Sequence, residues 1–246
     1  MYTEAGHIYD AIYRHREYAT QAEHLHALIS ERQPNARTLL DVACATGRHL
    51  EVLARYYEAQ GLDINPTLLE IARKRCPTLT FHEASMLDFH LHHSFDVITC
   101  LFSSIAYVKS LDRLEQALER MSRHLTDGGL LIVEPWFTPQ TYWTGTITAN
   151  HVDEPDFKLT WMYTSEAEDG VSILDMHYLV GRPGSIERFH ERHELGLFTN
   201  EQYETAFRRA GLEVSWDPTW ITGRGLYVGV KAPPRAAATP ATERDR

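Results

Sequence analysis

Two aspartates one strand–helix unit apart, Asp41 and Asp63, are the residues of this 246-residue chain whose type and spacing point most directly to chemistry. Asp41 opens the stretch Asp41-Val-Ala-Cys-Ala-Thr-Gly47, in which an apolar run gives way to the small residues Ala43, Ala45 and Gly47. Helical spacing then begins at Leu50 and Leu53. Small residues at a strand–helix corner let a ligand approach the backbone, and the N–H groups at the helix start face it. Asp63 closes the next strand, roughly 20 residues past the loop, where a carboxylate can accept hydrogen bonds from ribose hydroxyls. Neither the dinucleotide pattern G-x-G-x-x-G nor a G-K-[ST] phosphate loop is present in this stretch. Two carboxylates around an uncharged loop suit a cofactor with a ribose and an adenine but no phosphates, namely S-adenosylmethionine.

Other side chains could act on a substrate. His124 falls in the last turn of a helix, where the macrodipole favours it, and its ordinary pKa near neutrality also suits proton acceptance from an amine. Arg224 stands between two glycines, with a guanidinium shaped for bidentate contact with an anion. Trp136 follows the end of the fifth strand, on the side where open α/β sheets bind ligands. The N-terminal stretch Tyr2 to Tyr18 is rich in Tyr, His and Arg; it reads as a lid over a site or as a capping helix held by Ile8 and Ile12.

Composition limits the partners. A formal net charge of −10 argues against nucleic acid or an anionic membrane, so an anionic substrate must meet locally placed arginines. Cys44, Cys76 and Cys100 show no metal or redox spacing, and the 14 histidines form no H-E-x-x-H, so no metal is expected. No apolar stretch of spanning length or signal peptide is evident, and a cytoplasmic location is expected.

These residues require an α/β frame. Strands are expected at Leu39–Val42, Ala59–Asp63, Leu79–Phe81, Phe95–Leu101 and Leu130–Val133. Helices alternate with them, one capped by Asn65-Pro66 and one running from Ser110 to a stop at Gly128-Gly129. This rhythm predicts a mostly parallel, doubly wound sheet. After Trp136 the period changes to two. Phe157–Tyr163, Val171–Val180 and Ile186–Phe198 read as an antiparallel β insert with a turn at Asp169-Gly170. A helix capped at Thr199 or Asn200 and strands at Leu212–Trp216 and Leu226–Val230 return to the main sheet. The expected organisation is a main domain of residues 1–135 plus 199–232, an insert of 136–198, and a disordered Pro/Ala-rich tail of 233–246.

Several of these segments recur together. Asp41–Gly47, Phe102-Ser-Ser-Ile105, His124-Leu-Thr-Asp-Gly-Gly129, Glu134-Pro-Trp136 and Gly223-Arg-Gly-Leu226 resemble the S-adenosylmethionine-dependent N-methyltransferases of nucleotide-linked amino sugars. These enzymes dimethylate the amine of dTDP-linked deoxyaminosugars in antibiotic biosynthesis, and the similarity runs from about Tyr9 to Val230. It implies a Rossmann-like class I methyltransferase fold and a nucleotide-linked amino sugar as partner; dimers occur among the relatives, and the insert could supply a homodimer interface. It implies that Asp41, Ala43, Ala45 and Gly47 hold the methionine portion of the cofactor and Asp63 the ribose. Ser85 and Met86 would lie beside the adenine, and Leu101 and Phe102 would border the sulfonium. Tyr13 and His124 would sit near the sugar amine and Arg224 would face the diphosphate; Tyr9 is a further substrate-binding candidate, and Trp136 reads as lining the sugar or base pocket or as a core aromatic. The sequence departs from the family at Ala45, where glycine is usual, and at Ser85, where aspartate is usual. A methyltransferase acting on another small amine, acid or hydroxyl, or a binding protein with a decayed cofactor site, are the competing readings.

Overall fold

The computed structural model describes residues 5–232. The expected disordered tail and the first residues of the Tyr2–Tyr18 stretch lie outside the described residues. The main sheet has seven strands in the order β10-β11-β5-β4-β1-β2-β3. Strands β1 (Thr38–Val42), β2 (Glu58–Asp63), β3 (Thr80–Glu83), β4 (Phe95–Cys100) and β5 (Leu125–Val133) are parallel. β11 (Leu226–Lys231) runs antiparallel between β5 and β10 (Leu212–Asp217). The strand order reverses between β1 and β4, which opens a crevice at the carboxyl ends of the central strands.

Helices cover both faces. α2 (Tyr18–Arg32) and the four-residue α3 (Leu50–Leu53) pack on one side with Leu39, Val97 and Ile132. α5 (Leu111–Arg123) and α6 (Asn200–Arg209) pack on the other with Leu40, Ile98 and Leu131. Burial on both faces explains the apolar runs Val97–Cys100 in β4 and Leu130–Val133 in β5. Local chemistry fixes the helix starts. Asn65 accepts the N–H groups of Thr67 and Leu68 at 3.0 and 3.2 Å, with Pro66 opening α4 (Pro66–Arg75). Thr199 and Gln202 form a reciprocal capping box at α6.

The second sheet holds β6 (Thr146–Glu154), β7 (Phe157–Glu168), β8 (Val171–Arg182) and β9 (Ser185–Gly196), all antiparallel in sequence order. β6 escapes the sequence reading because it is an edge strand with Val152 as its one buried side chain. β9 ends at Gly196, and Phe198 beyond it packs into the main core instead. The N-terminal segment, a 3-10 turn (Ala5–Ile8) continuing into α1 (Tyr9–Ile12), lays Ile8 and Ile12 into an apolar cluster with Leu159, Tyr178 and Val180 of this sheet. Among the described residues no helix is long and apolar enough to cross a membrane.

A second boundary differs from expectation. Gly128-Gly129 do not end α5; they lie inside β5, where pairing with β4 shifts register between Phe95 and Val97. A Cβ on Gly129 would come within 2.8 Å of the Thr126 carbonyl oxygen, so the glycine pair serves a bulge rather than a helix stop.

Candidate active site

A cavity of about 650 Å³ opens where the carboxyl ends of the central strands face the second sheet. The loop after β1 forms its floor. Ala43, Ala45 and Gly47 all adopt positive φ, at 60°, 48° and 74°. The alanines therefore occupy the left-handed region that glycine enters without strain. Asp63 holds this loop in place. One of its oxygens accepts the Ala45 N–H at 2.9 Å and the other the Asn65 N–H at 2.8 Å. Burial raises the pKa of the Asp63 carboxyl. Asp41 is 2% exposed and accepts a hydrogen bond from the Thr99 hydroxyl at 2.7 Å. Burial, with a smaller push from Asp63 and against the Thr99 hydrogen bond, drives the Asp41 pKa up to about 7.

Ala43, Ala45, Asp63, Ser85, Met86 and Phe102 line the main cavity, while Asp41 and Leu101 line a smaller one that shares Ala43, Ala45 and Phe102 with it. Gly47 stands behind the loop against Ala72. Ser85 accepts the Leu87 N–H at 3.2 Å, a turn-forming contact. The donor set fits S-adenosylmethionine. Two adjacent carboxylates would repel a phosphate, yet they complement a ligand that carries an ammonium and a sulfonium.

Much of the remaining lining is aromatic. Tyr9, Tyr13, Trp136, Trp161 and Tyr163 contribute to it, with the Tyr9 and Tyr13 rings 4.8 Å apart. The Trp136 indole N–H donates to Ser172 of β8 at 2.8 Å. Arg224 also lines the cavity; its guanidinium lies 5.9 Å from both the Trp136 and the Phe137 ring centres. Gly223 and Gly225 flank it at φ 75°, and a Cβ on Gly225 would overlap Trp216 at 1.9 Å. Arg224 is paired with Glu134, which is 2% exposed and whose second oxygen accepts the Phe102 N–H at 3.2 Å. Glu134 thus ties the loops after β4, β5 and β10 together. The sequence reading used Glu134 only as part of a motif, although its place at the end of a central strand was a usable signal.

His124 is a correction. It caps the carboxyl end of α5, stacks on Phe89 at 4.5 Å and does not line the cavity. Its Nδ1 meets the Arg120 carbonyl oxygen at 2.8 Å, and its Nε2 accepts the Leu91 N–H at 3.0 Å. Both ring nitrogens are engaged, and burial lowers the ring's pKa. The Phe95 N–H donates to the His124 carbonyl oxygen, which puts this residue at the amino edge of β4, opposite the crevice. A different histidine lines the cavity. His193 of β9 is 1% exposed and its Nδ1 lies 2.8 Å from the Tyr107 hydroxyl. A further group, Asp175, His177 and His190, gathers its ligand-type atoms within 4.8 Å on the outer face of the second sheet, away from this site.

The N-terminal segment closes one side. Asp10 accepts the Thr46 hydroxyl at 2.7 Å and pairs with Arg75 and, at 3.5 Å, Arg48. Burial alone would raise the Asp10 pKa, but these bonds outweigh it and hold it below the usual carboxylate value. Arg14 meets Glu154 of β6 at 2.7 Å.

Residues 39–129 match the methyltransferase domain family. The chain is 38% identical over 231 residues to a dTDP-3-amino-3,6-dideoxy-alpha-D-glucopyranose N,N-dimethyltransferase of Streptomyces fradiae, covering 92% of this chain and 91% of that protein. The chain belongs to the family of dTDP-aminosugar N,N-dimethyltransferases. A second member, the dTDP-4-amino-2,3,4,6-tetradeoxy-D-glucose N,N-dimethyltransferase of Saccharopolyspora spinosa, is 37% identical over 227 residues, covering 91% of each chain. Among solved structures, S-adenosylmethionine-bound CalS10, an amino pentose methyltransferase from Micromonospora echinaspora, superimposes with a TM-score of 0.84 at 33% identity, covering 94% of this chain and 98% of that one. As a family member the protein is an S-adenosylmethionine-dependent methyltransferase with the Rossmann-like class I fold. Tyr107 and His193 on the cavity wall, and Glu134 behind Arg224, had not been singled out for a role by sequence reasoning.

Proposed function

We propose that this enzyme methylates the amine of a dTDP-linked deoxyaminosugar, once or twice, during antibiotic or other secondary-metabolite biosynthesis. One observation carries the reading: Arg224 lines the same cavity as the acidic cofactor loop, set against two aromatic rings and held by a buried carboxylate. A guanidinium in that setting suits the diphosphate of a nucleotide sugar. Asp41 and the loop Ala43–Gly47 would hold the methionine portion, Asp63 the ribose, Ser85 and Met86 the adenine, and Leu101 and Phe102 the space around the reacting methyl. Tyr9, Tyr13 and Trp136 would border the sugar. When bound, the cofactor supplies a methyl group on an activated sulfonium. The protein's share is to align a neutral amine with it and to exclude water. The enzyme would work in the cytoplasm, and the insert could join two copies as a homodimer.

The test is mass spectrometry of dTDP-linked 3-amino and 4-amino deoxysugars incubated with enzyme and S-adenosylmethionine, with plain deoxysugars as controls. Products heavier by one or two methyl groups are expected from amino sugars alone. In parallel, Arg224→Lys keeps the charge near Glu134 but loses the planar fork. It should weaken nucleotide-sugar binding about tenfold while leaving cofactor binding unchanged, read by calorimetry. Equal weakening of both ligands, or methylation of the controls, would refute the assignment.

A further inference from the structure

The cavity wall facing the N-terminal segment contains a buried row of three polar side chains. Tyr107, in the 3-10 turn Ser104–Val108 after β4, presents its hydroxyl to Nδ1 of His193 at 2.8 Å. His193 Nε2 lies 3.4 Å from a carboxylate oxygen of Glu191, two residues back on the same inward face of β9. The His193 and Glu191 side chains are 2% and 3% exposed, so neither ring nor carboxylate exchanges freely with bulk water. Tyr107 and His193 both line the cavity, as Tyr13 does. A pair that merely joined the 3-10 turn to the second sheet would have no reason to border the ligand space.

The order of groups sets the direction of proton flow. A Glu191 carboxylate facing Nε2 favours the tautomer with hydrogen on that nitrogen, which leaves Nδ1 as acceptor for the phenol. Burial lowers the basicity of His193 and raises the pKa of the Tyr107 hydroxyl. The resting pair is therefore neutral phenol and neutral imidazole, with Nδ1 placed to accept from the phenol. Glu191 then stabilises the imidazolium that results, the part a buried carboxylate plays behind any general-base histidine.

We infer that Tyr107 and His193 are the proton outlet of the methyl-transfer site, with Glu191 as the positioning residue behind them; this rests on the amine substrate proposed above. The amine lone pair forms the new C–N bond while the methyl carbon's bond to sulfur breaks, its electron pair staying on sulfur. The nitrogen, now positively charged, gives one N–H proton to the Tyr107 oxygen as the Tyr107 proton passes to His193 Nδ1. Tyr107 is again a neutral phenol, His193 an imidazolium, and the nitrogen has recovered the lone pair that a second methylation needs. When the spent cofactor and the product leave and water fills the cavity that Tyr107 and His193 border, the proton returns to that water through Tyr107 before the next transfer.

The test compares wild type with Tyr107→Phe, His193→Gln and Glu191→Gln on the amino-sugar nucleotide that wild type methylates. Expected is a fall in kcat of about 10²-fold for the first two variants and about tenfold for the third, with KM and cofactor affinity within about threefold of wild type. His193→Gly should regain activity when imidazole is added, a rescue that a merely structural histidine would not show. Variants with wild-type kcat, or losses that track lowered thermal stability and resist imidazole, would overturn the outlet while leaving the enzyme's substrate assignment intact. Failure of the wild type itself to methylate any amino-sugar nucleotide would overturn the substrate assignment, and the outlet with it.

Discussion

Replacing Ala45 by glycine should stabilise the enzyme, although the change removes a side chain. Ala45 sits at φ 48°, in the left-handed region. An L-residue there carries roughly 1–2 kcal/mol of strain that glycine does not. Against this, glycine adds freedom to the unfolded chain, worth about 0.4–1 kcal/mol. The net gain is about 1 kcal/mol, or a rise in Tm of about 2–4 °C for a chain of this length. The backbone has little room to relax in the variant, because the residue 45 N–H is fixed to the Asp63 carboxylate at 2.9 Å. Gly47→Ala supplies the opposite sign. Its φ is 74° and the added Cβ would sit 3.4 Å from the Ala72 methyl, an ordinary contact, so the substitution gains backbone strain without a clash. Calorimetric unfolding of both variants is the assay. A Tm for Ala45→Gly at or below wild type would show that the loop does not hold Ala45 in the left-handed conformation, and the strain reasoning would fail.

The remaining predictions concern titration and a misplaced base. Asp41 has a pKa of about 7 when folded, well above the ordinary carboxylate value near 3.9. Its contribution to stability is therefore full below about pH 4 and is lost as pH rises through about 7. Asp41→Asn should melt higher than wild type at pH 8 and show a smaller advantage at pH 5, in melts without cofactor; an equal difference at both values would contradict the shift. His124→Ala leaves the Leu91 N–H and the Arg120 carbonyl without their ring partners and should cost about 2–3 kcal/mol of stability. Its kcat at 25 °C should stay within about twofold of wild type. A hundredfold loss of kcat with an unchanged Tm would return His124 to the site.

Much of the frame was legible because the signals were local. The Asn65-Pro66 start of α4 and the Thr199 cap of α6 depend on residues within a single turn. The parallel rhythm follows from apolar runs such as Phe95–Cys100 that burial on both faces requires. Asp41, Asp63 and the small loop between them belong to one strand–helix–strand unit, so spacing was enough to bring them together. His124 was misjudged for a reason the topology itself supplies. A helix that leads into a parallel strand ends at that strand's amino edge, whereas open α/β sheets bind at the carboxyl edge. The Tyr107–His193 contact spans 86 residues and two sheets, a distance over which no periodicity or motif carries information. β6 went unread because its exposed, polar alternation leaves only Val152 to mark an inward face.

The short N-terminal segment belongs to neither sheet yet is bound to both. Asp10 is fastened to Thr46 and Arg75 beside the cofactor loop, while Ile8 and Ile12, 2% and 3% exposed, are part of the apolar cluster of the second sheet. For anyone grafting parts between relatives, this makes residues 5–16 and 146–196 a single transferable piece despite the 129 residues that separate them in the chain. A chimera that exchanges the second sheet alone would set a foreign surface against Ile8 and Ile12 and disturb the cofactor loop through Asp10. One that carries both segments would keep that interface native and leave the Asp10 seam, a contact between polar and charged groups, as the junction to be matched.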